Sequence, residues 1–155
     1  MGSKLRLETQ IVNDTATILL KGSIDEDADF KELNDLEAKI YEFDFENVDT
    51  LNSCGIRGWI SFVEKIPDTK KVVYKNCPQI VIEQISMVFG FIKEGALIES
   101  FYAPYFCPKC DEEKKVRLLT KDIENQKAPK MICKKCNDEM EFDDIETQYF
   151  SFLNR

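Results

Sequence analysis

A chain of 155 residues with 43% hydrophobic side chains and a formal charge of −8 has the size of one globular domain or two small ones. The acidic balance excludes a molecule that tracks a nucleic-acid backbone along its whole surface, and no apolar run approaches the roughly 20 residues that span a bilayer. Histidine is absent, which removes the usual general base.

The charge is uneven along the chain. Residues 1–104 carry 11 Lys and Arg against 18 Asp and Glu, whereas residues 105–155 carry 10 against 11. Met1 to Gln10 is polar and alternating and lacks the apolar stretch of a signal peptide. Four cysteines at metal-ligand spacing and two lone ones, Cys54 and Cys77, suit a reducing compartment, so a cytoplasmic location is expected.

Leu5, Leu7, Thr9 and Ile11 alternate with polar residues and predict a strand, followed by an Asn13-Asp14 turn and a second strand from Thr15 to Lys21. From Asp25 to Ile40 the period changes. Phe30, Leu33, Leu36 and Ile40 share one helical face, and Asp29 with Glu32 fits a capping box, which predicts a helix there. Tyr41, Phe43 and Phe45 predict a short third strand. Ile56, Trp59, Ile60, Val63 and Ile66 predict a second helix from about Cys54 to Ile66, closed by Pro67. Lys71 to Tyr74 predicts a fourth strand. Pro78 opens a third helix that carries Val81, Ile85, Val88 and Phe89 and stops at Gly90. This order predicts an α/β body with amphipathic helices on one face of its sheet.

The aromatic-rich segment from Ala96 to Phe106 then leads into Cys107-Pro108-Lys109-Cys110 and Cys133-Lys134-Lys135-Cys136, two knuckles with 22 residues between them. That spacing predicts a zinc ribbon. Without histidine the ligands are the four thiolates of Cys107, Cys110, Cys133 and Cys136, which saturate a tetrahedral Zn²⁺ and leave no open position, so the ion is structural. The same S₄ set also accepts iron. Asp111 and Asn137 follow the second Cys of each knuckle, where a residue tolerant of positive φ is needed. Lys114–Thr120, Pro129–Cys133 and Met140–Ile145 read as short strands around the metal. No flexible linker precedes the ribbon, so residues 96–155 are expected to pack on a body formed by residues 1–95.

Asn52-Ser53-Cys54-Gly55-Ile56-Arg57 lies where the third strand turns into the second helix. Ser53 or Asn52 is expected at the N-cap, where free N–H groups and the helix dipole favour an anion.

Residues 5–92 resemble the STAS domain, the module shared by sulfate transporters and anti-sigma-factor antagonists. Leu20-Lys21-Gly22-Ser23-Ile24-Asp25 resembles the family's Leu-x-Gly-x-Leu-Asp, Asn52-Ser53-Cys54-Gly55-Ile56 its Asp-Ser-Ser-Gly-Leu, and Pro78 to Phe91 its final helix. The resemblance implies a STAS-like mixed sheet and a partner-binding site at Ser53, with Asp25, Asn52, Cys54, Gly55 and Arg57 around it. It implies that Ser53 is phosphorylated by a serine kinase that doubles as an anti-sigma factor. The chain departs from the pattern with Asn52 for Asp, Cys54 for Ser and Arg57 for a small residue.

Three functions are therefore open. The first is a non-enzymatic signalling module that binds a serine-kinase or anti-sigma-type regulator. The second is a zinc-ribbon adaptor that contacts nucleic acid or the transcription machinery through Lys114, Lys115, Arg117, Lys121, Lys127 and Lys130. The third is a scaffold that has lost the switch. No paired carboxylates, phosphate loop or open metal site points to an enzyme.

Overall fold

The computed structural model describes residues 3–154; residues 1–2 and 155, at the ends of the two expected units, lie outside the described residues. Strands β1 (Arg6–Val12) and β2 (Thr15–Ile24) form an antiparallel hairpin. Asn13 and Asp14 close it with φ of 49° and 68°, the two left-handed residues of a type I′ turn. β2 pairs in parallel with β3 (Ile40–Leu51), β3 with β4 (Lys71–Lys75), and β4 with β5 (Leu97–Ile98), which gives a mixed five-stranded sheet in the order β1-β2-β3-β4-β5. The fold is mixed α/β.

The helix expected over Asp25–Ile40 does not form. A single 3₁₀ turn, Lys31–Leu33, stands in this crossover. The carboxylates of Asp25 and Asp29 accept from the N–H groups of Asp27 (3.0 Å) and Lys31 (2.9 Å), local turns that compete with the helical ladder. Phe30 and Leu33 are buried all the same, so the apolar spacing reported burial and not helix. β3 is also longer than Tyr41–Phe45. Past an irregularity in its pairing with β2 it continues to Leu51, with Val48 buried and the Thr50 hydroxyl donating to Ser23 Oγ (2.8 Å).

Helix α1 (Ser53–Glu64) buries Trp59, Phe62 and Val63. Trp59 meets Phe30, Phe43, Phe45 and Tyr74 at ring-centroid distances of 5.1–6.0 Å, mostly edge to face. Its Nε1–H donates to the Phe91 carbonyl (2.9 Å), which also accepts from the Tyr74 hydroxyl (2.7 Å). These bonds satisfy the polar tips of two fully buried rings and tie residue 91 to α1 and β4. Helix α2 (Gln79–Met87) starts after Pro78 and ends earlier than its apolar stripe predicts. Val88 is already extended and Gly90 has φ 91°, so Phe89, expected on the buried face, projects fully into solvent.

The chain then enters a second sheet of β6 (Ser100–Cys107), β7 (Glu112–Leu119) and β8 (Glu141–Phe142), ordered β7-β6-β8. β6 continues the line of β5. Cys77 N donates to the Ser100 carbonyl (3.1 Å) and Tyr102 N to the Cys77 carbonyl (2.8 Å), so the rod that edges the first sheet becomes the centre of the second. The Pro129–Cys133 strand reduces to one bridge, Ile132 with Glu139. A short helix α3 (Glu146–Tyr149) and a 3₁₀ turn (Phe150–Asn154) close the chain. Tyr149, Phe150 and Phe152 bury against Phe101. One cluster of buried side chains runs from Ala16 to Phe152. Among the described residues, no helix is long and apolar enough to cross a membrane.

Candidate functional site

Cys107 ends β6, Cys110 lies in the turn to β7, and Cys133 and Cys136 lie on the loop that precedes β8. Their four sulfurs lie within 4.8 Å of one another and could hold a metal ion. The Cys107–Cys136 and Cys110–Cys133 sulfurs are 3.4 and 4.0 Å apart. Tetrahedral zinc with bonds of about 2.3 Å requires sulfurs about 3.8 Å apart, which these separations bracket. Asp111 and Asn137 have φ of 54° and 65°, as expected after the second Cys of each knuckle. The Cys133 thiol is pulled down to about 6, first by the N–H of Cys136 and then by that of Lys135, donors that stabilise a thiolate. The Cys110 thiol is pushed up to about 12, chiefly by its hydrogen bond with Cys136.

Charge near the knuckles is organised around Glu112, which accepts from Lys135 Nζ (2.8 Å) and pairs with Lys114 Nζ (2.9 Å). The bond from Lys135, then that from Lys114, holds this carboxyl down at about 2. Three other basic residues of this half face the body or an acidic neighbour, whereas Lys121 and Lys127 are exposed and make no ion pair among the described residues. Lys115 donates to Gln79, Arg117 Nε donates to Asn76 Oδ1 (2.7 Å), and Lys130 lies 3.7 Å from Glu139. Tyr102 on β6 donates to Glu46 on β3.

The second candidate site is the first turn of α1. Asn52 is its N-cap: Oδ1 accepts from Gly55 N (2.9 Å) and Nδ2 donates to Glu26 (2.7 Å). That second bond holds the Glu26 carboxyl below its ordinary range. Asn52 N donates to the Ile24 carbonyl (3.1 Å). Gly55 packs so closely on the end of β2 that a Cβ there would stand 2.0 Å from the Ile24 oxygen. With the cap fixed this way, Ser53, Cys54 and Arg57 are all exposed. The N–H groups of Ser53 and Cys54 and the Arg57 guanidinium have no partner among the described residues. Asp25 is half-buried in the loop beside Glu26, its carboxylate turned to Asp27 N. The structure thus brings Asn52, Ser53, Cys54 and Gly55 together at the first turn of α1, with Arg57 one turn after Ser53, and leaves the four metal-site cysteines elsewhere.

Sequence reasoning missed Glu26 as the partner of Asn52, since only the tertiary fold brings that loop to α1. It also missed Met87 and Phe89, 71% and 101% exposed at the end of α2. Gly90 beside them approaches the Ile60 side chain of α1. Cys77 is fully buried, and burial pushes its thiol far above the ordinary value.

No protein-family model matches the chain, and no curated protein matches it.

Proposed function

We propose that the protein is a non-enzymatic cytoplasmic signalling module that binds a serine-kinase or anti-sigma-type regulator through the first turn of α1, with Ser53 as a phosphorylation switch. One observation carries this reading: Ser53, Cys54 and, one turn on, Arg57 stand in solvent at a helix start that the hydrogen bonds of Asn52 and the close packing of Gly55 fix against β2 and Glu26. A phosphate on Ser53 would add about −1.5 to −2 charge where free N–H groups and the helix dipole favour an anion. It would reverse the charge that Arg57 presents to a partner. The STAS resemblance supports the same site through the order and spacing of its motifs.

In this reading the four cysteines hold Zn²⁺ as a structural ion. The donor set fits it: four thiolates close a tetrahedron and leave no site for substrate. The ion would compensate for the small apolar core of the ribbon. Contact with nucleic acid ranks second, because four of its six basic residues, Lys114, Lys115, Arg117 and Lys130, are engaged with protein groups, which leaves only Lys121 and Lys127 exposed without an ion pair among the described residues.

The test is to compare which proteins co-purify with the wild type, Ser53→Ala and Ser53→Asp. Retention of a kinase-class partner by the first two and its loss from Ser53→Asp supports the proposal. Equal retention by all three contradicts it.

A further inference from the structure

β1 is the outermost strand of the five-stranded sheet, and among the described residues nothing pairs with its outer side. The type I′ turn fixes which of its backbone groups face outward. In a two-residue hairpin the residues that flank the turn, Val12 and Thr15, exchange both hydrogen bonds, and every second pair beyond them repeats the pattern. Arg6, Glu8, Gln10 and Val12 therefore direct their N–H and C=O groups to β2. Those of Leu7, Thr9 and Ile11 point away from the sheet.

The edge is not blunted. Its ladder keeps one register from Arg6 opposite Lys21 to Val12 opposite Thr15, with no bulge and no proline. Leu7 lies opposite Leu20 and Ile11 opposite Ala16, so both extend the core face of the sheet, yet Ile11 is 47% exposed. On the other face Val12 is 55% exposed. The segment before β1 turns the other way: the Ser3 carbonyl accepts from Ser23 N (2.8 Å) and its hydroxyl donates to Asp49 (3.2 Å).

We propose that β1 pairs antiparallel with β1 of a second copy of this chain about a two-fold axis at Thr9, which joins two five-stranded sheets into one. The segment is self-complementary about that axis. Thr9 faces Thr9 of the second copy, Leu7 faces its Ile11, and Ile11 faces its Leu7. These three pairs are the outward-facing ones, and they exchange about six backbone hydrogen bonds. The Leu–Ile pairs cover Ile11, which the monomer leaves 47% exposed, with the partly buried Leu7. Glu8 faces Gln10 and Arg6 faces Val12, so no like charges stand directly opposite. Lys21, 3.1 Å from Glu8, offsets the diagonal approach of the two Glu8 carboxylates. A slip of two residues either way leaves Leu7 or Ile11 without a partner on β1, so one register is favoured.

Sedimentation equilibrium on the full chain, metal included, between about 1 and 100 µM tests this. The wild type is expected to form a dimer and no larger species. Thr9→Pro removes the central outward N–H and leaves the β2 ladder intact, a place where an edge strand tolerates proline. It is expected to weaken dimerisation at least about tenfold with an unchanged circular dichroism spectrum. If Thr9→Pro fails to fold, Ile11→Lys, at a solvent-exposed position, decides in its place by the same criterion. A wild type that stays monomeric across the range overturns the proposal. So does a folded variant that dimerises as strongly as the wild type, or open-ended association.

Discussion

Gly55 lies against the Ile24 carbonyl so tightly that the first turn of α1 and the last residue of β2 share one backbone contact. The contact sets where Ser53 and Arg57 stand relative to the sheet. Gly55→Ala would place a methyl group 2.0 Å from that oxygen and 2.5 Å from Asp25 N, both backbone atoms. We expect this substitution to cost about 3 kcal/mol. Gly58, one turn on in the same helix, has no atom within 4 Å of an added Cβ. Gly58→Ala should therefore stabilise by about 0.5–1 kcal/mol through helix propensity alone. Urea unfolding of the two variants, followed through the single, fully buried Trp59, measures both.

The switch residues should be silent in folding. Ser53→Asp puts a carboxylate on an exposed first-turn position of α1, where the dipole favours it by about 0.3–1 kcal/mol. Arg57→Ala removes a side chain with no partner among the described residues. Thermal unfolding of both variants is expected to match or slightly exceed the wild type, so any loss of partner binding reports the surface and not the fold. A marked fall in Tm for either would show that this turn contributes to stability.

The metal should hold the second sheet more than the first. Cys107 ends β6, and Cys133 and Cys136 fasten the loop before β8, whereas the Trp59–Tyr74–Phe91 hub belongs to the first sheet. Chelation, or Cys133→Ser, is expected to raise hydrogen exchange across residues 107–142 and leave Trp59 emission in its buried, blue-shifted position. Equal deprotection of both sheets would contradict this ordering.

Acid should release the ion, because protons compete with it for thiolate sulfur. Glu112 behaves differently. Its folded-state pKa of about 2 lies below the ordinary carboxylate value, so its stabilising pairs with Lys114 and Lys135 persist above the unfolded value and are lost as pH falls through about 2. A pH titration with a zinc-sensitive dye should show metal release while Glu112 is still ionised. Retention of the metal down to pH 2 would count against a thiolate site.

The legible features were those with local causes. The knuckle spacing, the left-handed Asp111 and Asn137, the Asn13-Asp14 hairpin and α1 all follow from residues within a turn of one another. The features that stayed hidden depend on contacts far apart in sequence. The 25–40 segment has helical apolar spacing because Phe30 reaches Trp59 and Phe62, while its Asp side chains claim the backbone donors a helix would need. β3 runs to Leu51 because the far end of β2 offers it a ladder. The terminal Tyr149-Phe150-Ser151-Phe152 segment carries little periodicity of its own and gains its helical turns by docking on Phe101. At the candidate switch, the exposed Ser53 was legible as part of a helix start, but the clasp between Asn52 and Glu26 was not.

Phosphopeptide mass spectrometry of the endogenous protein across growth states tests the central claim most directly. The tryptic peptide from Ile40 to Arg57 carries Tyr41, Thr50 and Ser53 as its only hydroxyl side chains, so fragmentation can place a phosphate on one of them. The account predicts substantial phosphate on Ser53 that rises and falls with growth state. Unmodified Ser53 in every state would contradict the switch.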